Sequence, residues 1–377
     1  MAILFKPSEK PTIGIELELQ ILDRDTFALK NSSDELIARL ASLGSNVKHE
    51  ILNSTIEINT GIHEKPSTAY GELVKSVGLV VKEAKAMGLS ICMAGTHPFS
   101  PWKEQKVTND ARYLRLVEKL GLIARRSNTF GLHVHVGIGS GERCIHVLNR
   151  IMGYMPHLLS LSANSPFWQG DDTGLDSYRI KVFESLPIAG LPFYFHNWSD
   201  YEKIVDAYVR TNTIQTIREL WWDVRPHPDF GTIEARILDA TSTIEEAVSL
   251  AALIQALVVC LDKDYGEEGE FKRPHSFVVR ENKWRAARYG LGARFITDDA
   301  SGEVSVIVAI EKLLDMVEDD AKRLGSVREL DGIRRVLKDG NGSARQRRLF
   351  KETGELRSVS RALTKLLEDE VSAEGRV

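Results

Sequence analysis

Polar and apolar residues alternate cleanly at three places in the chain, and each reads as a strand with one face in a core. Over Thr12–Ile21, Ile13, Ile15, Leu17, Leu19 and Ile21 fall on one side and Gly14, Glu16, Glu18 and Gln20 on the other, because successive strand side chains point to opposite faces. Over Thr129–Ile138, Phe130, Leu132, Val134, Val136 and Ile138 oppose Thr129, Gly131, His133, His135 and Gly137. Over Gly231–Leu238, Thr232, Glu234 and Arg236 oppose Ile233, Ala235 and Ile237. A fourth segment, Val47–Thr60, alternates only in its second half, where Thr55, Glu57 and Asn59 face away from Ile56 and Ile58. Glu50 has the wrong parity to join Glu57 on one regular strand. A turn or bulge near Asn53-Ser54 is needed to bring both to one site.

Between these strands the pattern predicts helices. Ser32 and Glu35 have capping-box spacing before a helix that ends near Leu43, with Gly44 suited to the left-handed position behind it. Further helices are expected from Pro66 to Gly88 and over Asn109–Leu120, Gly141–Asn164, Tyr201–Thr211 and Thr243–Leu261. Leu89–Ala94 reads as a mostly apolar strand, Gly95–Trp102 as a Pro-rich loop and Ser165–Arg179 as an irregular loop. Leu220–Arg225 is a further strand, separated from Gly231–Leu238 by a Pro-His-Pro turn. From Arg273 the chain reads as helical to its end, with loops at Gly290 and over 339–343.

Strands alternating with helices would first suggest a parallel α/β sheet. Buried parallel strands, however, are continuous apolar runs, and these are half polar. The fold class expected is therefore α+β: an antiparallel sheet, helices packed behind it, and a polar concave front. With no internal repeat or linker, residues 1–377 read as one catalytic domain, the sheet within about 12–290 and a helical part over about 291–377.

Composition narrows the function classes. A net charge of −4 gives no electrostatic footprint for nucleic acid. Cys92, Cys144 and Cys260 are far apart in apolar settings, which suits buried thiols in a reducing compartment. The N-terminal apolar run is too short for a signal peptide, and Ala247–Leu261, interrupted by Ser249 and Gln255, falls short of a membrane span. A cytoplasmic protein without a membrane partner is expected.

Pooling the polar strand faces collects Glu16, Glu18, Glu57, His133, His135, Glu234 and Arg236, with Glu50 nearby. Each has an ordinary explanation: a strand glutamate is commonly solvated, and two histidines one residue apart are commonly satisfied by neighbours. Together they describe something else. Carboxylates about 7 Å apart along a strand repel unless a cation or proton lies between them, and hard oxygen ligands with an imidazole suit Mg²⁺ or Mn²⁺. An arginine on the same face suits phosphate. Other nucleotide and hydrolase signatures are missing: no GxxxxGK[ST] and no GxSxG occur, and Gly137-Ile-Gly139-Ser-Gly141 lacks the dinucleotide spacing. Lys283-Trp-Arg285 is either a second phosphate-facing group or a solvated basic helix face.

Five stretches, Gly14-Ile-Glu16-Leu-Glu18, Gly95-Thr96-His97-Pro98-Phe99, Phe130-Gly-Leu-His133-Val-His135-Val-Gly137, Trp222-Asp-Val-Arg225-Pro and Gly231-Thr-Ile-Glu234-Ala-Arg236, resemble in order the type 2 glutamate–cysteine ligases. Within that group the resemblance is to the YbdK-like carboxylate–amine ligases. It implies a glutamine-synthetase-like catalytic fold that uses ATP with Mg²⁺ or Mn²⁺ to convert a carboxylate to an acyl phosphate, which an amine then displaces. It implies Glu16, Glu18, Glu50, Glu57, His133 and Glu234 on metal, with Glu57 and Arg236 catalytic. It places His135 and Arg236 on nucleotide, to which the basic pair Lys283 and Arg285 is added from the helix reading above, and Arg225, Arg179 and His97 on substrate. The expected partners are small molecules, an amino-acid carboxylate and an amine, with a homodimer left open. Glutamate–cysteine ligation is expected to be a weak activity. Two alternatives stand beside it: a metal-dependent hydrolase using His133 and His135, and a nucleotide-binding protein without catalysis.

Overall fold

Eleven strands and the helices between them are seen in the computed structural model, which describes residues 3–266 and 273–374. β1 (Ile13–Asp23), β2 (Val47–His49), β3 (Thr55–Asn59), β4 (Leu89–Cys92) and β5 (Gly131–Gly137) form most of one sheet. β6 (Phe167–Trp168) and β7 (Asp171–Asp172) make a separate short ladder. β8 (Val224–His227) and β9 (Thr232–Asp239) complete the main sheet, and β10 (Arg294–Ile296) with β11 (Glu303–Ser305) forms a hairpin. The main sheet runs β2-β3-β1-β5-β9-β8, with β4 paired to the far end of β1. Every pairing in it is antiparallel, as the half-polar strands require.

The apolar side of β1 is closed off completely: Ile13, Ile15, Leu17, Leu19 and Ile21 are all within 1% of full burial. Each contributes about 2 kcal/mol on area grounds. Helices Pro66–Ala86 and Ile244–Asp262 pack behind this face. The second is long and apolar enough to cross a membrane, contrary to the reading from Ser249 and Gln255, but it is 78% buried inside the protein and serves as a core helix.

Several local expectations are corrected. Ser32 makes no side-chain cap; the first amide of the Ser33–Arg39 helix donates instead to the carbonyl and side chain of Asn53. That helix stops at Arg39, and Gly44 lies inside a following 3₁₀ segment. The single helix expected over Gly141–Asn164 is two, Gly141–Ile151 and Met155–Ser162, because Pro156 is tolerated only in a first turn. Pro226 and His227 lie inside β8 and not in a turn. β8 is an edge strand, where proline's missing N–H costs no ladder bond. The β10–β11 hairpin interrupts the C-terminal region read as purely helical; a turn-rich Asp-Asp-Ala-Ser-Gly between short apolar runs was its signal. Residues 375–377 of that region, and Met1 and Ala2 of the N-terminal run, lie outside the described residues.

Candidate active site

The strand register brings the polar faces together. Glu18 pairs across β1–β3 with Glu57, Glu16 across β1–β5 with His133, His135 across β5–β9 with Glu234, and Glu234 across β9–β8 with Arg225. Glu16, Glu18, Glu57, His133, His135 and Arg225 line a cleft of 320 Å³ that also takes in Glu50, Arg179 and Arg236, while Glu234 lies fully buried behind its wall. Glu50 reaches it as the parity argument required. The chain leaves the sheet between β2 and β3, and residues 51–53 pair with the segment 106–108, through Asn53 N to Lys106 O at 2.9 Å and Thr108 N to Ile51 O at 2.9 Å.

Two groups within the cleft could each hold a cation. In Glu16, His133 and Glu234, and again in Glu18, Glu50 and Glu57, one ligand atom per residue lies within 4.8 Å of the others. The first group is closely tied to cations of the protein. Glu234, fully buried, accepts from Arg225 Nε at 2.6 Å and from Arg236 Nη1. Burial opposes its charge, but the two guanidinium groups hold its carboxyl far below the usual range. Glu16 lies 3.2 Å from His133 Nδ1 and 3.4 Å from His135 Nε2. Against burial, these imidazoles hold it well below the carboxylate range. Burial and Arg236 push His133 down to about 4, whereas Glu234 and Glu16 outweigh burial at His135 and raise it. The Nε2 atoms of both histidines are buried with no hydrogen-bond partner among the described residues.

The second group is different. Burial pushes Glu18 up to about 7, with Glu57 adding to the rise and Arg179 opposing it. Burial, then the Glu57 and Glu18 charges, hold Glu50 well above the carboxylate range, and burial with Glu16 raises Glu57. The local compensation is modest: the Gly131 amide to Glu18, the Ile51 amide to Glu50 at 3.1 Å, Asn59 Nδ2 to Glu57 at 2.8 Å, and half-exposed Lys48 at 3.7 Å from Glu57. Three carboxylates in mutual repulsion, Glu57 buried and Glu18 and Glu50 half-buried at the cleft, are the donor set a hard divalent cation fits.

A bulge in β9 sets the arginines. The amides of Arg236 and Ile237 both donate to Asp223 O, at 2.7 and 3.1 Å, so two residues of β9 oppose the one residue that leads into β8. The register against β5 shifts at the same place, from Val134–Ala235 to Leu132–Leu238. Asp239, of the wrong parity to share a face with Glu234 on a regular strand, is thereby brought opposite Gly131. It is fully buried and accepts from Asn164 N, Ser165 Oγ and Ser177 Oγ at 2.6–2.9 Å. Arg179 passes over Gly131, where a Cβ would lie 2.4 Å from Nη2, and donates to the carbonyls of Arg236 and Ile237 at 3.4 Å.

Not every expected residue is in the cleft. His97 is buried with both ring nitrogens in use, Nε2 to Phe27 O at 2.9 Å and Nδ1 to Ser100 N at 3.0 Å, so it fixes its own loop and leaves nothing for a substrate. Lys283 is turned to Asp223 and Glu184 at 2.5 and 2.7 Å. Arg285 bonds Glu281, Glu303 and the Arg294 carbonyl on a helix surface. Neither is among the residues lining the cleft. Arg225 does line it, with Nε and Nη2 donating to Glu234 and Nη1 to the carbonyls of Ile217, Arg218 and Leu220, so its guanidinium is held mainly by the protein itself. The sequence reading missed Arg112, Tyr113 and Arg218 at the cleft, and His227 with Phe230, whose rings stack 4.1 Å apart. His227 was hidden in a proline pair that reads as a turn, and no periodicity marks Arg112 or Arg218.

Comparison with known proteins agrees with this architecture. The model of the family described as glutamate-cysteine ligase family 2 matches residues 12–362. A protein of Gloeobacter violaceus, provisionally named glutamate–cysteine ligase 2, is 44% identical over 362 residues, 95% of this chain and 97% of its own length. A provisionally named glutamate–cysteine ligase 2 of Thermobifida fusca is 40% identical over 370 residues, 97% of this chain and 93% of its own. Among solved structures, the Francisella tularensis glutamate–cysteine ligase in complex with AMP superimposes with a TM-score of 0.71 at 15% identity, covering 97% of this chain and 90% of that one. A bifunctional glutathione synthetase from Pasteurella multocida gives 0.70 at 13% identity, covering 96% of this chain and 53% of that one. The expected fold class is the one found.

Proposed function

The chain belongs to glutamate–cysteine ligase family 2, and on that premise we propose that it is an ATP-dependent carboxylate–amine ligase. In this reading ATP phosphorylates a substrate carboxylate, and an amine displaces phosphate from the acyl phosphate to give an amide, ADP and phosphate. The pair proposed is the γ-carboxyl of glutamate and the amine of cysteine, turned over weakly, with another amine as the better acceptor.

The observation that carries the reading is the pairing of two three-residue groups, Glu16/His133/Glu234 and Glu18/Glu50/Glu57, with Arg236 beside them over one cleft. Moving a phosphoryl group onto a carboxylate gathers negative charge in one place. Mg²⁺ or Mn²⁺ held by these six residues would neutralise phosphate and carboxylate oxygens there. Arg236, whose Nε has no hydrogen-bond partner among the described residues, is positioned to meet the transferred phosphoryl group. Arg225 acts by holding Glu234, and Arg179 by backing Glu18 and the bulge. His135 faces the nucleotide. The substrate's own carboxylate falls to Arg112 and Arg218, which line the cleft and have no carboxylate within ion-pair distance among the described residues.

The experiment is incubation of purified protein with ATP, Mg²⁺ and glutamate, with cysteine or a panel of other amines, following ADP and phosphate. Release that needs both acid and amine, with an amide found by mass spectrometry, is the expected result. Mg-ATP binding with no turnover in any mixture would favour a binding protein and overturn the ligase.

A further inference from the structure

Lys283, Asp223 and Glu184 form a buried charge cluster that the mechanism above does not use. Asp223 Oδ2 accepts from Lys283 Nζ at 2.5 Å, and Glu184 Oε1 lies 2.7 Å from the same ammonium. Lys283 is 3% exposed and Asp223 1%. Glu184 in turn accepts from Lys181 at 2.8 Å. The backbone of Asp223 is held as firmly as its side chain. Its amide donates to Gly190 O at 2.8 Å, and its carbonyl accepts both amides of the β9 bulge, Arg236 at 2.7 Å and Ile237 at 3.1 Å. One residue therefore joins a buried ion pair on helix Ser276–Tyr289 to the peptide that carries Arg236.

We propose that Lys283 and Asp223 are positioning residues: their ion pair fixes the Asp223 peptide, just before β8, that sustains the bulge, and the bulge aims Arg236 across the cleft. A charged pair this deep is a poor source of stability, since desolvation offsets most of its attraction. It is a good source of fixed geometry, because an ammonium shared by two carboxylates leaves Asp223 one arrangement. Without the bulge, residues beyond Arg236 would keep strict alternation, and Asp239 would turn from Arg179 toward the core. The catalytic half of this proposal rests on the ligase reading; the half concerning the bulge does not.

The test uses Lys283→Met and, should that variant fold poorly, Asp223→Asn, which keeps the size and backbone of the residue. Hydrogen exchange reads the bulge directly. The amides of Arg236 and Ile237 are expected to exchange at least tenfold faster in the variants, while those of β1 and β5 keep their protection. Kinetics reads the consequence: kcat is expected to fall about 100-fold, the scale of a 1 Å misplacement, with KM for ATP little changed. Lys283→Arg should recover most of both. Unchanged exchange at Arg236 and Ile237 would overturn the proposal. So would a kcat loss that only matches the unfolded fraction. If the wild type turns over no ATP while exchange responds as expected, the ligase reading fails and the role in the bulge stands.

Discussion

The two carboxylate groups of the cleft sit on neighbouring strands of one sheet face, yet the protein treats them in opposite ways. Around Glu16 and Glu234 it supplies Arg225, Arg236, His133 and His135, and both carboxyls stay ionised well below their usual range. Around Glu18, Glu50 and Glu57 it supplies one half-exposed lysine and three amide donors, with Arg179 and Arg236 only partly offsetting burial at Glu18, and all three carboxyls are raised. The first group is neutralised by its own neighbours. The second stores repulsion that a ligand must relieve. Of the two, the second should bind a divalent cation with the larger gain in stability, and the first should depend more on its arginines.

The largest test removes the arginine shared by both halves. Arg236→Ala should lower kcat by about 10³-fold, the scale seen when a phosphoryl-facing arginine is lost, while Mg-ATP binding measured by calorimetry persists. Full activity in that variant would remove the role given to it. Next, Arg225→Met breaks a buried ion pair with Glu234 and leaves three carbonyls without their donor. It should cost about 3 kcal/mol in urea unfolding; a loss below about 1 kcal/mol would mean the first group is not held together by its arginines.

The second group is tested by pH and metal. Its carboxyls titrate higher in the folded than in the unfolded chain, so the folded state binds more protons between the usual carboxylate range and about pH 7. Stability without metal should fall as pH rises through that window. The first group has depressed carboxyls, whose contribution is lost only at more acid pH. Glu370, which burial pushes up to about 7 on the C-terminal helix, adds a fall of the same sign; the cleft's share is the part that Mg²⁺ reverses. Melting scans in EDTA and in Mg²⁺ should therefore diverge from about pH 5 to about pH 8, metal helping most where the ligands are deprotonated. Equal Mg²⁺ shifts at both ends would contradict this.

Glu57→Gln sharpens the same contrast on a smaller scale. It removes one of the repelling charges, so the metal-free protein should gain about 1 kcal/mol while the Mg²⁺-dependent shift shrinks. A metal-free loss of stability would show that Glu57 is held by its partners and not opposed by them. The smallest effect belongs to Arg285→Ala. That side chain bonds to surface carboxylates away from the cleft, and activity should be unchanged with stability within about 0.5 kcal/mol.

How much of this was legible follows from which physical rule each feature obeys. Strand alternation is local, so Glu16, Glu18, His133, His135, Glu234 and Arg236 could be put on one polar face from the chain alone. The antiparallel sheet followed from those faces being half polar. Glu50 could be placed only on condition of a turn before Glu57, and the structure supplies that turn through contacts with residues 106–108. Roles that depend on who else is near were not legible. Arg225 and Lys283 look alike in sequence, as cations beside a motif, but one clamps Glu234 and the other is buried against Asp223 and Glu184. His97 looks like a loop histidine free to bind, and folding spends both its nitrogens.

The sequence by itself determined the strand faces, the sheet's antiparallel character and the set of ionisable groups that share its polar side, because a period of two needs only neighbours along the chain. Tertiary structure alone decided which carboxylates are compensated and which arginines are spent. It also decided where parity breaks: the bulge at Arg236–Ile237, accepted by the one carbonyl of Asp223 before β8, turns Asp239 to the polar side. Charge compensation and register shifts are set by partners from other strands and helices far away in the chain, 117 residues for Glu16 with His133.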